Sequence, residues 1–184
     1  DLNRSVTDPH FFPIYEEASA LDLPLCIHTG HPLPGDEWDR GFPLMQSFSE
    51  VVSSKLPQNF PNLRFGYIEA GASWIPYMVS QLGARIRQAE RGLDRRMPHL
   101  YELAPELFRE NRAFITIDLI DDIESILAFG TEDNLMIGTD YSHTDISANL
   151  DALSGVHSWV DEGRISDDQA HKILESNAQA FYGL

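Results

Sequence analysis

The sequence reads as an α/β chain assembled from parallel βαβ units, and three observations carry that reading. Four short, almost wholly apolar runs recur along it, around Leu25–Ile27, Leu63–Ile68, Ala113–Ile117 and Leu135–Ile137. Each gives way to polar residues or glycine, as buried parallel strands do where they open into loops. The segments between them space their apolar residues at helical intervals, and parallel strands need such crossover connections.

The elements follow in order. Asp8-Pro9 opens a helix, with an acceptor side chain ahead of proline at the first helical position. Phe11, Ile14, Tyr15 and Ala18 give it an apolar face, and it should stop near Asp22, ahead of Pro24. The first strand then runs from Leu25 to Gly30, with His28 towards its C-terminal end. From His31 to Gly41 glycine and proline breaks fall among charged residues, so this stretch reads as a long loop. Leu44, Phe48, Val51 and Val52 restart a helix. The second strand, Leu63 to Glu69, ends in Ala70-Gly71-Ala72-Ser73, and a helix bearing Ile75, Val79, Leu82 and Ile86 follows with Ser73 as its expected cap. A short helix covers Tyr101 to Asn111, broken or entered at Pro105. The third strand is Ala113 to Asp118, then a helix from Ile123 to Phe129, then the fourth strand from Leu135 to Asp140. Two helices close the chain. One carries Ile146, Leu150, Leu153 and Val160; the other starts with Ser166 and Gln169 at capping-box spacing and continues through Ile173, Leu174, Ala178 and Phe181. With no linker, low-complexity stretch or repeat, residues 1–184 read as one domain or part of one.

Composition narrows the partners. The 184 residues carry 13 Lys+Arg against 29 Asp+Glu, a formal net charge of −16, which argues against nucleic acid and anionic membranes as partners. No apolar run approaches the roughly 20 residues of a membrane helix. A single cysteine, Cys26, excludes an internal disulfide and a cysteine-based zinc site. A reducing compartment fits that usage, and the cytoplasm is the simplest.

Chemistry concentrates where strands end. Three of the four expected strands finish near His28, Glu69 and Asp140, and Asp118 stands near the end of the other. In α/β folds the C-terminal strand ends build the active site. Singly, each residue has a structural explanation: His28 as a satisfied buried imidazole, Glu69 as a cap of the next helix, Asp140 as a cap of the next turn. Together, an imidazole and two carboxylates on one rim are hard to assign to capping and suit a divalent ion. Phosphate-binding glycine fingerprints and the Gly-x-Ser-x-Gly nucleophile motif are absent. Arginines 85, 87, 91, 95 and 96 read as a solvated face, and Trp74 as core or pocket wall in equal measure.

Ile27-His28-Thr29-Gly30, Phe60-Pro61-Asn62-Leu63-Arg64-Phe65, Ala104 to Asn111, Gly138-Thr139-Asp140-Tyr141-Ser142-His143 and the closing Asn177-Ala178-Gln179-Ala180-Phe181-Tyr182-Gly183-Leu184 occur in that order. From about Asp8 onward the chain thereby resembles the C-terminal half of amidohydrolase-related, metal-dependent (β/α)8 barrels, in the branch of aminocarboxymuconate-semialdehyde decarboxylase. The resemblance implies a half-barrel of four βα units. It implies His28 and Asp140 as metal ligands, Asp140 also as the proton-handling carboxylate, and His143 near the site; His143, Trp74 and His31 are the candidate substrate-binding residues. Zinc, or else manganese, is the expected ion. Glu69 stands where the family usually carries a histidine, and is expected to act as a catalytic base or ligand instead. The family's first-strand metal pair is absent from this chain.

The function expected is metal-dependent hydrolysis of a small organic-acid or cyclic substrate by a metal-activated water. The alternatives are decarboxylation of an aromatic or unsaturated acid, and a non-catalytic barrel fragment. A half-barrel exposes two strand edges, so pairing with an N-terminal half-barrel or with another copy is expected. Ile27, Phe65, Ile68, Ile115, Ile117 and Ile137 are expected to be buried.

Overall fold

A computed structural model describes residues 4–28, 41–92, 106–143 and 148–184. Within them a 3-10 turn, Pro9–Phe11, leads into α1 (Phe12–Ala20); Asp8 Oδ1 accepts the His10 N–H at 2.8 Å and so starts the turn as the sequence anticipates. There follow β1 (Leu25–His28), α2 (Gly41–Ser53), a single-turn α3 (Leu56–Asn59) and β2 (Phe65–Ile68). Next come α4 (Ile75–Glu90), α5 (Glu106–Glu110), β3 (Ala113–Ile117), α6 (Ile123–Leu127) and β4 (Leu135–Ile137). The chain closes with α7 (Ala152–Asp161), α8 (Asp167–His171), a π-helical turn over Lys172–Ser176, and α9 (Asn177–Tyr182).

The four strands form one parallel sheet in the order β1-β2-β3-β4, with Leu25 level with Phe65, Phe65 with Ala113, and Ile115 with Leu135. Each βα unit therefore lies beside the one before it. Equivalent ends of all four strands point the same way, so residues just past those ends share one rim.

Strand alternation divides the side chains between two faces. Phe65, Tyr67, Ala113, Ile115, Ile117 and Leu135 join the main core with the helices, and Leu44, Phe48, Ile75, Ile123 and Val156 meet them there. The other face, which in a closed barrel would look inward, holds a small cluster of Phe114, Met136 and Phe181, with Ile68 and Ala178 against it. Phe181 comes from α9 and lies over Gly66, where a Cβ would collide with the Phe181 Cζ. Glycine is required there by the close approach. Arg64 secures the same helix end: Nε donates to Phe181 O at 2.7 Å and NH1 to Asp22 Oδ1 at 2.7 Å.

Burial departs from expectation where the sheet is thinnest. Phe65, Ile115 and Ile117 are buried, but Ile27 and Ile137 are only half-buried because they stand on the edge strands, and Ile68, the last residue of β2, is half-buried as well. Three local expectations are corrected. The buried stripe of α7 is Ala152, Val156 and Trp159, while Leu150 and Leu153 are 69% and 53% exposed. Ser73 does not cap α4; its hydroxyl donates to Asp121 Oδ1 at 2.5 Å. Strands β2 and β4 are shorter than the expected Leu63–Glu69 and Leu135–Asp140, pairing only over Phe65–Ile68 and Leu135–Ile137. The 31–41 loop, apart from its last residue, together with Tyr101, Pro105, Arg95, Arg96 and Ile146, lies outside the described residues.

Candidate metal centre

The rim beyond the strand ends brings together four polar side chains. His28 closes β1, Glu69 is the first residue after β2, and Asp140 and His143 come after β4. Parallel pairing of β1 with β2 sets His28 level with Ile68, so its imidazole reaches the next residue, and His28 Nε2 contacts Glu69 Oε2. Across the sheet, Glu69, Asp140 and His143 each offer a ligand atom, and these atoms lie within 4.8 Å of one another. Nδ1 of His143 is 2.7 Å from Asp140 Oδ2, and the tautomer decides which of them donates. The Glu69 side chain is the most sheltered of the four, 11% exposed, against 51% for His28 and 55% for His143.

Two of these residues hold unusual backbone. Glu69 has φ 69° and Asp140 φ 46°, and Ser142, in the same turn as Asp140, has φ 82°. The left-handed region is unfavourable for residues with a Cβ and persists where surrounding structure enforces it. For Glu69 the enforcement is visible. Its N–H donates to Thr116 Oγ1 at 2.9 Å, and the loop after it is pinned by Asp121. That carboxylate, 4% exposed, accepts from Ala72 N at 2.8 Å, Ser73 N at 3.0 Å, Ser73 Oγ at 2.5 Å and Asp118 N at 2.8 Å. The Asp140 turn is closed by His143 N donating to Asp140 O at 3.2 Å.

Two carboxylates and one imidazole, from Glu69, Asp140 and His143, make a mixed oxygen and nitrogen donor set, and His28 joins it through its contact with Glu69. Carboxylate oxygens held this close repel one another, and a cation between them removes the repulsion. Imidazole and carboxylate together suit zinc and manganese. The residues thus fit a divalent ion on their own chemistry.

The expected site residues divide accordingly. Glu69, Asp140 and His143 come together, with the β3 strand between those of Glu69 and Asp140 as the strand order requires, whereas His28, expected as a metal ligand beside Asp140, meets Glu69 and is not part of that group. His143 approaches the carboxylates more closely than its expected place beside the substrate implied. Trp74 is in the core, 7% exposed, its ring edge-on to Phe48 and Tyr67 and its Nε1 donating to Gly71 O at 2.9 Å. His31 lies outside the described residues. Thr116 and Asp121 were not singled out from sequence. Asp121 sits in Asp118-Leu119-Ile120-Asp121-Asp122, where one acidic residue caps the following helix, and only geometry shows that the cap is Asp122, whose Oδ1 accepts from Ser125 N.

No curated protein matches the chain. Among solved structures it resembles an amidohydrolase from Mycobacterium avium subsp. paratuberculosis K-10, at 17% identity and a TM-score of 0.66 over 97% of this chain and 47% of that one. It resembles 2,6-dihydroxybenzoate decarboxylase from Rhizobium at 23% identity and 0.63, over 95% and 55%. It also resembles a manganese-bound 5-carboxyvanillate decarboxylase from Novosphingobium aromaticivorans at 18% identity and 0.64, over 98% and 54%. These likenesses show the fold: four parallel strands with their helices, corresponding to about half of a barrel enzyme. The chain spans about half the length of these relatives. A family profile described as amidohydrolase matches residues 3–184, nearly the whole sequence. The chain belongs to the amidohydrolase family.

Proposed function

We propose that this chain supplies the C-terminal half of a metal-dependent carboxy-lyase that releases carbon dioxide from a small aromatic or unsaturated acid. The observation that carries this reading is the convergence of Glu69, Asp140 and His143 at the rim, with two of the three in left-handed backbone. Glu69 and Asp140 hold the cation, flanked by the imidazoles of His28 and His143. When bound, the cation acts as a Lewis acid toward an oxygen-bearing substrate. Manganese is the first ion to test, since one similar decarboxylase carries it, and zinc the second.

Asp140 and His143 handle the proton. Decarboxylation breaks a carbon–carbon bond, and the carbon that loses carbon dioxide must take up a proton. A carboxylate joined to an imidazole at 2.7 Å can pass one along that pair. Glu69, sheltered and next to His28, orients that imidazole and completes the acidic side of the site. The hydrolytic reading places the same groups around a water molecule instead, with Glu69 as its base. The decarboxylases among similar structures favour the carboxy-lyase.

The deciding experiment incubates the protein, loaded with Mn2+ and separately with Zn2+, with hydroxybenzoates, carboxyvanillate-like acids, and cyclic amides and lactones. Release of carbon dioxide from the acids supports the proposal. Hydrolysis of the ring substrates without carbon dioxide release would replace it with the hydrolytic reading, and absence of stoichiometric metal would remove both.

A further inference from the structure

We propose that Asp121 is a positioning residue for Glu69, fixing the 69–73 loop so that Glu69 presents its carboxylate to the metal centre; the inference rests on the metal-centre reading above. Two carboxylate oxygens offer about four acceptor positions. At Asp121 four donors occupy them: three from Ala72 and Ser73, one from the Asp118 backbone. So saturated and so buried, this carboxylate is an anchor rather than a ligand.

What it anchors is the segment that turns the chain at Glu69. Glu69 stands at φ 69° with its N–H on Thr116 Oγ1, and Gly71 comes next but one at φ 59°. A Cβ at Gly71 would come within 3.1 Å of Asp121 Oδ2, so only glycine lets the loop lie this close to its anchor. Trp74 Nε1 on Gly71 O braces the same turn from the core. The line of support runs from Asp121 through Ser73, Ala72 and Gly71 to Glu69. It also joins neighbouring units, because Asp121 and Thr116 both belong to the β3 unit while Glu69 comes after β2. Asp122 takes the capping of α6, which leaves Asp121 for the loop.

The test compares Asp121→Asn with Ser73→Ala, a milder change that removes one donor from the same carboxylate. Two quantities are read: Mn2+ affinity by calorimetric titration, and amide hydrogen exchange of the metal-free protein. Groups that orient a ligand typically change metal affinity by about 10- to 100-fold when altered. Asp121→Asn is expected to weaken Mn2+ binding by about that factor, and Ser73→Ala by less in the same direction. Exchange should also quicken at the Glu69 amide, which is bonded to Thr116 and not to Asp121. Faster exchange confined to Ala72 and Ser73, with Glu69 and Mn2+ affinity as in the wild type, overturns the inference. If Asp121→Asn does not fold, Ser73→Ala decides by the same two readings. If the wild type binds no Mn2+, the metal-centre reading fails, and the Glu69 amide alone decides the positioning role.

Discussion

Tyr67 illustrates how a single atom sets a limit on stability. Its ring lies at the centre of β2 against Phe48 and Trp74, and its hydroxyl is buried with no hydrogen-bond partner among the described residues. Burial first, and the charge of Tyr15 second, push the phenol far above its ordinary value. A group whose folded pKa is raised contributes stability that is fully present below the unfolded value, about 10 for tyrosine, and lost as pH rises beyond it. An unsatisfied buried hydroxyl costs about 1–3 kcal/mol. Tyr67→Phe should therefore be neutral or stabilising by about 1 kcal/mol, and should flatten the loss of stability between pH 9 and 11. Thermal melts across that range check it, and a variant less stable than wild type at pH 8 would show that the hydroxyl has a partner after all. Asp140→Asn probes chemistry at the same scale. Asparagine tolerates left-handed backbone as aspartate does, so φ 46° adds no penalty and the change isolates charge and basicity. On the carboxy-lyase proposal, turnover of the complete enzyme should fall by about 10²- to 10⁴-fold, the usual weight of a general acid or base, with the melting temperature nearly unchanged. Wild-type turnover would make Asp140 structural.

At the scale of elements, the legible features rest on backbone rules that need no partner. The four strands announced themselves as apolar runs, and His28, Glu69 and Asp140 as polar residues at their C-terminal ends. The capping box at Ser166 and Gln169 is formed in both directions. The illegible features depend on neighbours. Leu150 and Leu153 fit a helical stripe as well as Ala152, Val156 and Trp159 do, and only the packed helix chooses between them. The π-helical turn at Lys172–Ser176 has no local signature either; it lets the buried Asn177 reach β4, with Nδ2 donating to Leu135 O at 2.7 Å and Glu132 O at 2.9 Å. Beside it Lys172 pairs with Glu132 and Asp133, which raises its pKa. Asn177→Ala strands both carbonyls and should cost about 1–3 kcal/mol in chemical denaturation. A loss below 0.5 kcal/mol, roughly the scatter of surface substitutions, would mean that the π-helical turn docks without it.

The whole molecule is defined by the edges its sheet leaves open. Strands β1 and β4 are the outer members of the described sheet, and parallel edges present unpaired N–H and C=O groups to any strand that can reach them. On the inward face Phe114 and Met136 are already buried with Phe181, and Ile68 is half-buried against them, so it is the strand edges that stay open. A polypeptide of these 184 residues should therefore scatter light as a species heavier than 20.8 kDa, or bind a polypeptide carrying four complementary βα units. A lasting monomer with one tightly held metal ion would show that the edges are covered from within. The strong acidity favours dispersal, so association should strengthen with added salt, which screens the −16 charge.

The strand register also bears on the order in which the sheet assembles. Ile115 and Leu135 meet across 20 positions of chain, Leu25 and Phe65 across 40, and Phe65 and Ala113 across 48. Closing the longest of these loops rather than the shortest costs about 0.8 kcal/mol more in chain entropy. The β3–β4 unit is thus the cheapest to close and the natural nucleus, the β1–β2 pair is the next cheapest, and the β2–β3 junction that joins the two is the costliest. Truncations at Leu135 should slow refolding more than truncations at Leu25 of equal equilibrium cost, which stopped-flow measurement of both variants would reveal. The half of the rim that carries Asp140 would then form before His28 arrives to face it.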